Sequence, residues 1–233
     1  MSKPVRGLFI TGTDTGVGKT YVAAMIVRTL AEAGQRVGMY KPVASGCRWE
    51  GDQLAADDAA ALWDAAGSAG SFHRVCPQRF AARIAPHRAA KAEGKEVDAQ
   101  LLRTGLDYWL DRSDVIVIEG AGGLMSPVTD DEFVADLAYD FGFPLVIVAR
   151  NVLGTINQTL QTVMAASTYR GGLPVAGIVL NSGDATSDDP SVATNRADIE
   201  RYARVPLLAE VAFLGTGFAP SVDWFALAGA AAG

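Results

Sequence analysis

Apolar residues along this chain fall into two patterns. Short runs without polar interruption read as strands buried on both faces. Longer stretches with apolar positions three or four apart read as helices. The first kind comprises residues 7–11 (GLFIT), 36–40, 114–119 (DVIVIE), 144–149 (PLVIVA), 174–181 (PVAGIVLN) and 206–211. The second comprises 19–33, closed by Gly34, then 57–66, 97–110, 155–169 and 194–203. Residues 67–94 hold Gly, Pro and Arg with no clean period and are expected to be mostly loop. The tail, 227–233, is rich in Ala and Gly and is expected to fray. Strands alternating with helices predict an α/β fold: a doubly wound, mainly parallel sheet with helices on both faces. No linker or repeat interrupts residues 1–233, so one domain is expected. Ligands of such sheets sit at the carboxyl ends of the strands, where the chemistry should lie.

Composition narrows the function. The net charge of -6 excludes nonspecific binding to nucleic acid or to an anionic membrane surface. No apolar run reaches membrane-spanning length, and residues 1–6 carry no signal-peptide core. Two cysteines, Cys47 and Cys76, supply neither a metal cage nor a disulfide framework, which points to a reduced, cytoplasmic protein. His73 and His87 are too few and too distant for a zinc site.

The most informative segment follows the first strand: Gly12-Thr13-Asp14-Thr15-Gly16-Val17-Gly18-Lys19-Thr20, leading into a helix. Strand, Gly-rich turn, Lys-Thr and helix together make a phosphate-binding loop, which places the chain in the P-loop NTPase fold. Successive backbone N–H groups and the helix N-terminus can wrap a phosphate. Lys19 would reach the β- and γ-phosphates, and the Thr20 hydroxyl would bind Mg²⁺. Thr13 occupies the position of the motif's first glycine. Asp14 stands five residues before Lys19, where partition ATPases of the deviant type carry a lysine; this argues against that class.

The second strand ends in Lys41, followed by Pro-Val-Ala-Ser45-Gly46. A second lysine at the edge that delivers the phosphate loop suits phosphoryl transfer, because it can neutralise charge developing on the transferred group. Strand DVIVIE ends in Glu119 before Gly120-Ala121-Gly122-Gly123, the place for a Mg²⁺-binding carboxylate. Asp57 and Asp58 open a helix, where the dipole favours acids whatever their further role.

Taken together, GTDTGVGKT, YKPVASG, EGAGGLMSP and the LGTIN that follows PLVIVA resemble the dethiobiotin synthetase family, in order and separation, from about Gly7 to Leu208. The resemblance implies a homodimeric enzyme that uses Mg²⁺ and ATP to close 7,8-diaminononanoate with CO₂ into a ureido ring. A carbamate forms first, ATP phosphorylates it, and the second amine displaces phosphate. Carried over by motif, Lys19 and Lys41 act on the carbamate and the transferring phosphoryl group, and residues 13–20 with Asn181 bind ATP, Asn181 at the adenine. Thr20, Asp58 and Glu119 hold Mg²⁺. Thr15, Lys41, Ser45 and Gly122 meet the diamine or carbamate. Leu153, Gly154, Thr155, Ile156 and Asn157 hold the substrate's carboxylate at a helix N-terminus, where capping by Thr155 is the plainer alternative. Asn195 reaches in from the partner subunit. Two departures stand out: Gly16 replaces an acid found in some members, and Ala82-Arg83 stands where Glu-Pro is expected before Pro86-His87. The competing readings are a regulatory or partition-type switch ATPase, and another ATP-dependent cyclising or amidating synthetase.

Overall fold

The uninterrupted apolar runs form strands because both their faces are covered. The computed structural model describes residues 5–183 and 188–230; the last three residues of the predicted tail lie outside that range. The chain begins with β1 (Arg6–Gly12), α1 (Lys19–Glu32) and β2 (Val37–Tyr40). A smaller substructure follows: β3 (Val43–Ser45), β4 (Arg48–Glu50), β5 (Gln53–Ala55), α2 (Asp57–Ala65), α3 (Phe72–Val75), β6 (Gln78–Phe80), α4 (Pro86–Ala92), α5 (Ala99–Thr104) and α6 (Asp107–Leu110). The main alternation then resumes with β7 (Val115–Glu119), α7 (Val134–Phe141), β8 (Leu145–Arg150), α8 (Thr155–Thr168), β9 (Val175–Asn181), α9 (Val192–Tyr202) and β10 (Leu207–Val211), and ends in α10 (Trp224–Leu227) and β11 (Gly229–Ala230).

The main sheet runs in the order β10-β9-β8-β1-β7-β2, with every one of these pairs parallel. β1 lies at its middle, and Ile10 pairs with Glu119 in β7. That register brings the phosphate loop and Glu119 to the same edge, as the alignment of parallel strand ends requires. β2 lies on the other side of β7, so Lys41 emerges at that edge too.

Four expectations need correction. Residues 67–94 contain α3, β6 and α4, and β6 pairs with β3 in parallel, Val43 opposite Gln78. The expected helix over 97–110 breaks in two. The buried Tyr40 hydroxyl donates to the carbonyls of Leu101 and Leu102, both at 3.0 Å, and the Leu106 N–H turns to Arg103 instead. α7 was not anticipated, although Val134, Leu137, Ala138 and Phe141 show helical spacing and all are buried. The tail does not simply fray: Gly229 pairs antiparallel with Gly7.

Candidate active site

The turn from β1 into α1 depends on backbone that only glycine adopts easily. Gly16 and Gly18 have φ of 77° and 95°. A β-carbon on Gly18 would fall 2.1 Å from Asn181 Nδ2, so the close approach excludes one as well. No side chain caps α1, which leaves its first N–H groups free for an anion. Inside the loop, Asp14 Oδ1 accepts the Thr15 N–H at 2.6 Å, and Thr13 N–H donates to Val148. The Val17 side chain is buried in the core, so only its backbone can take part in phosphate binding. Lys19 is buried too, and its ammonium folds back to donate to the Asp14 carbonyl at 2.8 Å. Burial, and then the neighbouring Lys41 charge, lower its pKa to about 8.

Beneath the loop lies an ion cluster. Lys41 is only 3% exposed and reaches Asp58 Oδ2 at 2.6 Å and Glu119 Oε1 at 2.7 Å. The Thr20 hydroxyl donates to the same Glu119 oxygen at 2.8 Å. Burial alone would push the Lys41 pKa down, but Glu119 and Asp58 together outweigh it and raise it above the usual range. Desolvation opposes the Asp58 charge, yet Lys41 holds that carboxyl below its ordinary value. Glu119, enclosed on all sides, is pushed up by burial, with Lys41 pulling the other way.

The other Glu119 oxygen, Oε2, is buried without a hydrogen-bond partner. An orphaned carboxylate oxygen in a phosphate-loop cleft fits a hard cation. Thr20 spends its proton on Glu119 and keeps its lone pairs, and Asp58 is half-exposed towards the cleft. Two carboxylates and a hydroxyl match Mg²⁺, which takes few protein ligands and completes its shell from phosphates and water.

These groups share a cleft of about 780 Å³ with Thr15, Gly16, Ser45, Gly122, Arg83 and Ile84. Arg83 enters the sequence reading only as a departure from a pattern; its place in the wall follows from the unforeseen β3–β6 pairing. Asn181 lies behind the loop with its amide N–H already donating to the Val17 carbonyl at 3.0 Å, so it braces the loop. Residues 153–157 do not line this cleft. Gly154, with φ of 92°, occupies the cap position of α8, so Thr155 does not cap the helix. Thr155 is fully buried with an unpartnered hydroxyl, and Leu153 is 79% exposed. Asn195 makes its described contacts within its own chain. It is 1% exposed and donates to Asn151 Oδ1 at 2.8 Å, tying α9 to the segment before α8 in its own chain.

Among known families, the AAA domain matches residues 6–216. The chain is 45% identical over 214 residues to the ATP-dependent dethiobiotin synthetase BioD of Rhodopirellula baltica, covering 87% of this chain and 82% of that one. It is 47% identical over 207 residues to the protein of the same name from Anaeromyxobacter dehalogenans, with 87% and 88% covered. The Bacillus subtilis protein of that name is 38% identical over 208 residues, with 88% and 86% covered. Two solved structures share the fold: a ParA family ATPase from Chlorobium tepidum, with TM-score 0.55 and 13% identity over 89% of this chain and 84% of that one, and the septum site-determining protein MinD of Pyrococcus horikoshii, complexed with Mg-ADP, with TM-score 0.52 and 17% identity over 89% and 81%.

Proposed function

The chain belongs to the ATP-dependent dethiobiotin synthetases, and on that premise we propose how its residues divide the work of this ligase of biotin biosynthesis. The reaction joins 7,8-diaminononanoate and CO₂ at the expense of ATP. The observation that carries the division is the buried Lys41–Glu119–Asp58 cluster directly under an uncapped phosphate loop. The reaction brings two anions together, a carbamate and a triphosphate, and needs fixed positive charge between them. No protein nucleophile is required, because both amines belong to the substrate.

The backbone of residues 13–18 and the Lys19 ammonium hold the phosphates, with Asn181 beside the adenine. Thr20, Asp58 and Glu119 would hold Mg²⁺, which when bound shields phosphate charge from the incoming anion. Thr15, Ser45 and Gly122 orient the diamine. One amine adds to CO₂ and loses a proton, giving the carbamate. Lys41, whose raised pKa keeps it charged, faces the carbamate oxygen as it takes the γ-phosphoryl group. The second amine then attacks the carbonyl carbon, the ring closes and phosphate leaves. The enzyme acts as one domain over residues 1–233, in the cytoplasm, as a homodimer. In that assembly residues 153–157 of one subunit meet the carboxylate tail of the diamine in the other, a reading supported by the uncapped N-terminus of α8 and by their absence from the cleft wall of their own chain.

The test incubates the purified protein with Mg-ATP, bicarbonate and 7,8-diaminononanoate and follows phosphate and product mass together. Phosphate release that requires the diamine, one for one with dethiobiotin, is the expected outcome. Diamine-independent hydrolysis without dethiobiotin would favour the switch ATPase.

A further inference from the structure

At residue 83, just after β6, the sequence places a guanidinium in the wall of the cleft. Arg83 lines that wall beside Ser45 and Pro86. The turn that carries it is fixed: the Ala82 carbonyl accepts both the Gly46 N–H and the Ile84 N–H at 3.0 Å. The stem of Arg83 lies on Gly46, where a β-carbon would come within 2.9 Å of its Cγ. Gly46 has φ of 75°, so the bare backbone both makes the turn and seats the side chain.

The charge at the end of that stem is uncommitted. Among the described residues no hydrogen bond or ion pair engages the Arg83 guanidinium. Asp57, the acid whose charge it senses, is held by Arg48 through both carboxylate oxygens, at 2.6 Å and 3.2 Å. Lys41 is paired with Asp58 and Glu119 and is the charge assigned above to the oxygen that takes the phosphoryl group, and Lys19 belongs to the phosphate loop. Arg83 is therefore a free cation on the wall formed by residues 83–86, next to the serine assigned to the acceptor and not on the loop that holds ATP.

We infer that Arg83 binds the carboxylate of the substrate carbamate, which makes it a further substrate-binding residue of this site. The inference rests on the division of roles proposed above. A guanidinium can take a carboxylate through two parallel N–H donors, a geometry that suits a planar carbamate. The same charge disfavours the ammonium form of the adjacent amine, the form that cannot attack CO₂. Carbamate formation, R–NH₂ + CO₂ → R–NH–COO⁻ + H⁺, needs no ATP, so its binding can be observed before phosphoryl transfer.

The experiment compares wild type with Arg83→Gln and Arg83→Lys. Carbon-13 NMR of enzyme, 7,8-diaminononanoate and labelled bicarbonate, without ATP, reads the bound carbamate; steady-state kinetics read the separate KM values. In Arg83→Gln the carbamate signal should fall and KM for bicarbonate should rise about tenfold, the size of one hydrogen bond to a charged group. KM for ATP should stay unchanged, and Arg83→Lys should recover most of the loss. An unchanged KM for bicarbonate in Arg83→Gln overturns the inference, as does a rise confined to KM for ATP, which would assign Arg83 to the triphosphate. A wild-type protein that makes no dethiobiotin overturns the underlying role assignment, and is told apart because it fails before any variant is compared.

Discussion

At the phosphate end of the proposed site, charge is buried and paired within one chain. Lys41 and Glu119 are 3% and 1% exposed, and Thr20 and Asp58 complete their contacts. At the N-terminus of α8 the design is reversed: Leu153 stands in solvent, Thr155 holds an unanswered hydroxyl, and Asn195 spends its amide on its own chain. The first region is preorganised for a reaction whose charges must not wait for side chains to move. The second is a helix N-terminus without a side-chain cap among the described residues, where Asp189 accepts the Leu153 N–H just ahead of the helix at 2.6 Å. In the proposed function, chemistry is thus built inside the protomer, and recognition of the substrate's far end is assigned to the N-terminus of α8.

The largest effect should come from breaking the first region. Lys41→Met removes the charge facing the transferred phosphoryl group, and dethiobiotin formation should fall by about a thousandfold. It also strands Glu119, at a stability cost of about 3–5 kcal/mol, typical of removing one partner from a buried pair. The double variant Lys41→Met/Glu119→Gln leaves no buried carboxylate at that position. Calorimetry should show it regaining most of the lost stability while the product assay stays silent. A single variant that melts like wild type would mean that the pair is not as buried as the geometry states.

A pair of variants at the second region should have smaller and opposite signatures. Asn195→Ala breaks a buried amide network and should cost about 1–3 kcal/mol of stability, with KM for ATP unchanged. Asn157→Ala alters an exposed side chain and should leave the melting temperature alone, while KM for the diamine rises about tenfold, as for one lost hydrogen bond to a carboxylate. If instead Asn195→Ala raises KM for the diamine and leaves stability untouched, then α9 faces the substrate and the contrast between the regions is wrong.

The same contrast sorts what could be read from sequence. The phosphate loop was legible because its function is carried by contiguous backbone, and Glu119 because a parallel strand end has a fixed place in the fold. Lys41 was legible as a position but not as a buried ion pair, since its enclosure depends on Glu119, 78 residues away. Arg83 sat in a segment without periodicity, and only the three-residue pairing of β3 with β6 brings it to the cleft. The buried contact of Asn195 with Asn151 was not legible, because an asparagine on an amphipathic helix gives no sign of which neighbour it faces. α7 carries a clear helical spacing in Val134, Leu137, Ala138 and Phe141, so its signal lies in the sequence itself.

The smallest effect reads how tightly the wall that bears Lys41 is closed. Cys76 follows Val75, whose carbonyl accepts the Lys41 N–H at 2.7 Å, and it is 1% exposed. Burial pushes its thiol up to about 12, and that of Cys47 upward as well. Only the thiolate reacts quickly with a disulfide reagent, so at pH 8 neither cysteine should react in the native enzyme, and both should react once it is unfolded. The same shift has a sign in stability. Above the ordinary thiol value of 9.0 the unfolded chain loses the Cys76 proton while the folded chain keeps it. The stability this group contributes is therefore complete below pH 9.0 and is lost as pH rises towards about 12. Cys76→Ala should flatten that alkaline decline by a measurable margin in melts taken across the range. A native Cys76 that reacts rapidly at pH 8 would show that the wall opens often, and that the phosphate end is less preorganised than the Lys41 cluster implies.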